Sequence, residues 1–236
     1  MQNIIAIVVT ILSIIALIAQ RKIIKKYILH SLFIGFICGL SRLWFVFESG
    51  SPGLFFAFLY YGLLSWLAAW AGLCMADAYA LPKIYIEGAR RKIITYTIIF
   101  SIIVIILNTL MLMQAARAGV LPPWLANIKS VRLILSIGLQ AGLIEETIFR
   151  LLSISFILWS INRFTKSESH RIMYLWISIL VSSVFFGIIH GAGAPGAIIM
   201  GIIFGYLYTQ VGWLPCVIVH ALGDVSSFLI ALSITA

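Results

Sequence analysis

Residues 93–115 read IITYTIIFSIIVIILNTLMLMQA, a run without Asp, Glu, Lys, Arg or His that directly follows the basic triplet Arg90, Arg91 and Lys92. A helix crossing the hydrocarbon core of a bilayer needs about 20 such residues. Outward from this run, seven more stretches are mostly apolar, at roughly 3–20, 28–47, 54–76, 133–160, 172–190, 196–211 and 216–235. The pattern predicts an all-α, polytopic membrane helix bundle with about eight transmembrane helices. No Pro-, Gly- or Ser-rich linker and no internal repeat divides the chain, so residues 1–236 read as a single membrane domain.

Composition agrees. The chain is 63% hydrophobic and 10% charged, with a mean hydropathy of +1.14. Soluble domains are about 45–50% apolar and about 25% charged. A soluble domain, a disordered chain and a disulfide scaffold are therefore excluded. Cys38, Cys74 and Cys216 lie in apolar stretches without CxxC or Cys/His spacing, which makes them core thiols.

The net charge is +9. The basic residues form short runs between apolar stretches, which sets membrane orientation and argues against nucleic acid as a partner. Arg21, Lys22, Lys25, Lys26, Lys83, Arg90, Arg91, Lys92, Arg163, Lys166 and Arg171 fall on one side, and Arg117, Lys129 and Arg132 on the other. That bias predicts cytoplasmic basic loops and both termini outside; an integral plasma-membrane protein of a prokaryote is the separate expectation for the whole chain. The first span lacks a basic n-region and an A-x-A site, so it reads as a retained anchor. PPW at 122–124 reads as an interfacial piece, with Trp124 at headgroup level, and 116–132 as a surface helix leading into span 5.

A charge at a helix centre in the bilayer costs roughly 2.5–3.5 kcal/mol. Ionisable residues inside spans are therefore the informative ones. Glu48, Asp77, Glu87 and Glu168 fall in or near loops, and Arg42 and His30 lie near span ends where they can snorkel. What remains is Glu145, Glu146, Arg150, His190, His220 and Asp224, all after residue 140.

These residues form three clusters. In EETIFR (145–150), Glu146 and Arg150 stand at i and i+4 in the favoured order for an ion pair, leaving Glu145 as the free carboxylate. Adjacent carboxylates in an apolar site are one route to a general base working near neutral pH. In FFGIIHG (185–191), Phe186 and His190 stand at i and i+4, as do His220 and Asp224 in HALGD (220–224). Each cluster alone has a plainer explanation: a packing ion pair, a capping histidine, a local His–Asp bond. Together they suggest one polar cavity, in which Glu plus His activates a water and a second His donates to a developing oxyanion. HExxH, GxSG, GxSxG and GxGD are absent.

The order EExxxR, FxxxH, HxxxD resembles the CPBP family, the CAAX-prenyl proteases and bacteriocin-processing or immunity (Abi) proteins. GIIFGYLYTQVGWLPCVIVHALGD (201–224) is similar to the family's stretch before its last motif, and the resemblance covers roughly residues 125–235. It implies a membrane endopeptidase that uses a glutamate and no metal cofactor. Glu145 and His190 would activate water, and His220 and residue 224 would stabilise the oxyanion. Glu146 and Arg150 would support the site. Where the family has Asn, this chain has Asp224, and a carboxylate donates only when protonated. Asp224 is therefore read as orienting His220, one ring nitrogen of which faces the substrate. The implied partners are the bilayer and a membrane-associated substrate: a prenylated CAAX tail, or a leader, sorting or bacteriocin-type peptide. The alternatives are zinc held by Glu145, His190 and His220, a non-catalytic immunity or scaffold protein, and a transporter.

In simple crossings, His190 falls near the outer end of span 6 and His220 near the inner end of span 8. One site therefore requires irregular backbone at depth, which is allowed where it lines a cavity. The uncharged loops 191–195 and 212–215 are candidates to lie inside the protein. Span 6 or 7 is expected to be tilted or broken, with Gly187, Gly191, Gly193, Gly196, Gly201 and Gly205 allowing close helix approach.

Overall fold

The computed structural model describes residues 2–50, 53–119, 128, 130–165 and 170–235. The described residues are predominantly helical, without a strand. The elements are α1 (Gln2–Ala19), a 3-10 turn (Ile24–Tyr27), α2 (Ile28–Glu48), α3 (Leu54–Ala78), α4 (Arg90–Arg117), α5 (Val131–Glu146), a π-helical segment (Thr147–Ile154), α6 (Ser155–Thr165), α7 (Arg171–Ile189), a 3-10 turn (Gly191–Gly193), α8 (Ala194–Val211) and α9 (Trp213–Thr235). Each of the eight apolar stretches forms helix. Among the described residues, six helices are long and apolar enough to cross a membrane; Asn3–Ala19 is apolar but shorter. The interfacial piece at 122–124 with Trp124, most of 116–132, and Lys129, Lys166 and Glu168 lie outside the described residues.

Polarity runs opposite to that of a soluble protein. On α7, Ile172, Met173, Trp176, Leu180, Phe185 and Ile188 are exposed, whereas Ser178, Ser182 and Ser183 are buried. Such a surface is stable only in lipid; this is an integral membrane protein. The buried hydroxyls are satisfied by carbonyls: Ser178 donates to Tyr174 O (2.8 Å) and Ser183 to Ile179 O (2.7 Å).

The rod α5–π–α6 is central. It packs against α2, α3, α7, α8 and α9, while α9 lies between α4 and α5, and α1 packs on α3. Ser130 caps α5, accepting the Leu133 N–H at 3.1 Å.

The expected break in span 6 or 7 is not found. α7 and α8 are continuous, and the irregularity lies in span 5, over Thr147–Ile154. There Ser153 donates to the carbonyl of Ile148, five residues back (2.7 Å), and Ser182 of α7 donates to Phe149 O (2.6 Å). Hydroxyls thus take up carbonyls along the widened turns. Gly201 and Gly205 do face α7 closely, at Ser183 and Ile179, but Gly191 and Gly193 meet no neighbouring helix. Gly191 serves a turn instead, with φ of +58°.

The two candidate loops differ. His190, Gly191 and Gly193 are exposed, whereas Val211, Gly212 and Trp213 are buried. The connection 79–89 roofs the α8–α9 turn. Lys83 O accepts the Trp213 N–H (3.0 Å) and Ile84 O the Leu214 N–H (2.9 Å), capping α9 from outside its own helix. α9 therefore starts inside the protein, which draws His220 inward. Lys83 and Lys26 pair with Asp77 at 2.8 and 3.0 Å, and Asp77 holds the Lys83 ammonium above the ordinary lysine range. Arg171 bonds Tyr79 O (2.8 Å) and Lys92 bonds Gln210 (3.3 Å). Basic residues from three inter-span segments thus meet at one end of the bundle.

Candidate active site

Glu145 and Glu146 sit where α5 gives way to the π segment. A Cβ on Gly142 would lie 2.8 Å from Val217 O, so α5 and α9 touch backbone to backbone there. That approach sets the two glutamates opposite His220.

The deepest part is an ion pair. Arg150 Nε lies 3.1 Å from Glu146 Oε2, and neither side chain has any exposure. The guanidinium carbon lies 4.7 Å from the Phe186 ring centroid and 5.6 Å from that of Phe204. A buried cation is thus countered by one carboxylate and two aromatic faces. Glu146 reaches further, its Oε1 accepting from His220 Nδ1 at 2.8 Å. The imidazole stacks on Phe204, with centroids 4.6 Å apart and an interplanar angle of 19°. Arg150, Glu146 and His220 form one chain of charge-assisted contacts. With Nδ1 held by Glu146, Nε2 is the nitrogen turned to the site.

Two carboxylates face Nε2, with Asp224 Oδ2 at 3.5 Å and Glu145 Oε2 at 3.8 Å. Glu145 is partly open, its side chain 26% exposed, yet its Oε2 is buried without a hydrogen-bond partner. The titratable groups around it are His220, His190, Asp224 and Glu146. Asp224 Oδ1 accepts from Asn108 Nδ2 of α4 at 3.2 Å.

His190 ends α7. Its ring packs on Phe186 at 4.5 Å, and Phe186 in turn meets His220 edge-on at 6.3 Å. His190 Nδ1 lies 2.7 Å from Phe186 O, so Nδ1 donates to that carbonyl and Nε2 is left as an acceptor. All seven residues singled out from the sequence thus lie around one site. Glu146 and Arg150 pair, and Glu145 stands apart from that pair. One detail differs from expectation: the short bond orienting His220 comes from Glu146, with Asp224 on the other ring nitrogen.

Asn108 and Phe204 were not foreseen. Asn108 is an uncharged amide inside the run 93–115, and a search confined to ionisable residues passes over it. Among the described residues, no three His, Cys, Asp or Glu side chains form a metal-holding group, the set Glu145, His190 and His220 included. Chemically, the site offers a partly exposed carboxylate and an exposed imidazole acceptor, beside an imidazole whose far nitrogen is fixed by a buried ion pair.

Residues 127–226 match the family model described as "Type II CAAX prenyl endopeptidase Rce1-like". No curated protein matches the chain, and no solved structure does. The matched segment holds every site residue above except Asn108.

Proposed function

We propose, from the match of residues 127–226 to the family model of the Rce1-like type II CAAX prenyl endopeptidases, that this chain hydrolyses a peptide bond in a membrane-associated substrate with a water activated by Glu145 and His190. The observation that carries the proposal is the buried Arg150–Glu146–His220 chain, which presents His220 Nε2 toward Glu145. A packing cluster has no need of a buried carboxylate oxygen left without a hydrogen-bond partner, as Glu145 Oε2 is.

In this reading Glu145 takes a proton from water, with His190 Nε2 accepting the water's second hydrogen bond. The hydroxide oxygen bonds to the scissile carbonyl carbon, and His220, taken as the imidazolium between Glu146 and Asp224, donates its Nε2–H to the resulting oxyanion. On collapse the C–N bond breaks and Glu145 returns its proton to the leaving amine. Asp224 borders the oxyanion position, and Glu146, Arg150 and Phe186 hold His220 in place. No metal takes part. The basic end faces the cytoplasm of a prokaryotic cell. Substrates are prenylated CAAX tails or leader, sorting or bacteriocin-type peptides.

The test compares wild type, Glu145→Gln and His190→Ala in detergent against prenylated and leader-type peptides, with and without a strong chelator. Cleavage that survives chelation and is lost in both variants is expected. Loss on chelation would move the reading to a metal site. A cellular phenotype that survives Glu145→Gln would favour a non-catalytic membrane protein.

A further inference from the structure

We propose that Asn108 of α4 is a positioning residue of this site, acting through Asp224; the proposal rests on the endopeptidase reading above. Asn108 lies outside the matched segment 127–226, in the part of the chain that reads from sequence as generic spans. Its Nδ2 donates to Asp224 Oδ1 at 3.2 Å, while Asp224 Oδ2 lies 3.5 Å from His220 Nε2. A carboxylate on a short side chain can turn about its last bond. Fixing one oxygen fixes the other. Asn108 thus holds Oδ2 at the nitrogen that faces the substrate.

The register of α4 supports this. Val104, Asn108 and Met111 form one stripe at helical spacing. Val104 packs where Gly223 of α9 lacks a side chain, and Met111 where Gly196 of α8 lacks one. Close packing on either side therefore sets Asn108 against Asp224, the residue after Gly223. An amide in a run of Ile, Leu and Val has a desolvation cost, and the bond to Asp224 offsets it.

An acceptor role for Asp224 follows. Bonded to an N–H donor on Oδ1, it presents Oδ2 as an acceptor for His220 Nε2–H. Asp224 then fixes where that hydrogen points until the oxyanion forms.

The test uses the full chain as wild type, Asn108→Leu, Asn108→Asp, Asp224→Asn and the exchange Asn108→Asp/Asp224→Asn. Leu matches Asn closely in size and suits an apolar helix, so Asn108→Leu is expected to fold. Its kcat is expected to fall roughly ten- to a hundred-fold, as for loss of a hydrogen bond to a charged group, with KM within about twofold. Asn108→Asp is expected to fall at least as far, because two carboxylates then face each other. The exchange restores an amide–carboxylate pair, so its kcat is expected to recover at least about tenfold over Asn108→Asp. An Asn108→Leu kcat within twofold of wild type, or an exchange no better than Asn108→Asp, would overturn the proposal. Failure of wild type to cleave any peptide would instead count against the endopeptidase reading. Thermal unfolding of wild type, Asn108→Asp, Asp224→Asn and the exchange reads the pair without substrate. Non-additive shifts in Tm are expected, and strict additivity would dismiss the contact.

Discussion

Arg150 is a cation with no exposure, and its one anionic partner among the described residues is Glu146. Removing one member of such a pair leaves the other buried and uncompensated, at a cost of about 3–5 kcal/mol; removing both costs less. Arg150→Met is therefore expected to unfold at a clearly lower temperature than wild type, and Glu146→Gln/Arg150→Met to recover part of that loss. Both variants are expected to lose activity, since Glu146 also holds His220 Nδ1. Thermal unfolding in detergent beside a cleavage assay separates the two effects. A double variant no more stable than Arg150→Met would show that the pair is not the main partner of either charge. At this scale the sequence was informative because charges at membrane depth are costly and few. Each of the six singled out after residue 140 lies at the site. Asn108 was missed because an amide carries no such penalty mark. The preference of His220 for Glu146 over Asp224 was not legible either, because spacing along one helix does not weigh a partner on another.

Among the elements, the start of α9 matters most. Gly212 has φ of +101°, and a Cβ there would lie 2.8 Å from Ile84 O. Both the backbone angle and the roof formed by 79–89 exclude a side chain. Gly212→Ala is expected to cost roughly 1–3 kcal/mol and to lower kcat by moving His220. A Gly212→Ala protein with unchanged Tm and kcat would mean that the turn does not set the position of α9. The eight apolar helical stretches were legible because lipid imposes a length and a composition on each span. The π segment was not, since an apolar run looks alike whether it winds by 3.6 residues per turn or more widely. The submerged 212–215 turn was legible only as an uncharged loop. Its roof is a tertiary contact with residues more than a hundred positions earlier.

For the whole molecule, the basic end is tied together by Lys26, Lys83, Lys92 and Arg171. The native cysteines are all buried, so a reporter cysteine on the surface can be labelled selectively. With the basic end cytoplasmic, Arg91→Cys is expected to react with an impermeant maleimide only from the cytoplasmic side, and Arg117→Cys only from the other. Labelling of both from one side would refute a span between them. The most direct measurement of function is the cleavage rate of Glu145→Gln against wild type at equal folded protein. Proper general-base catalysis is worth about 10²–10⁴-fold. A rate loss in that range is expected, with Tm near that of wild type and no effect of chelation on the wild-type rate. A Glu145→Gln protein that cleaves in proportion to its folded amount would contradict the assignment of Glu145 as the base.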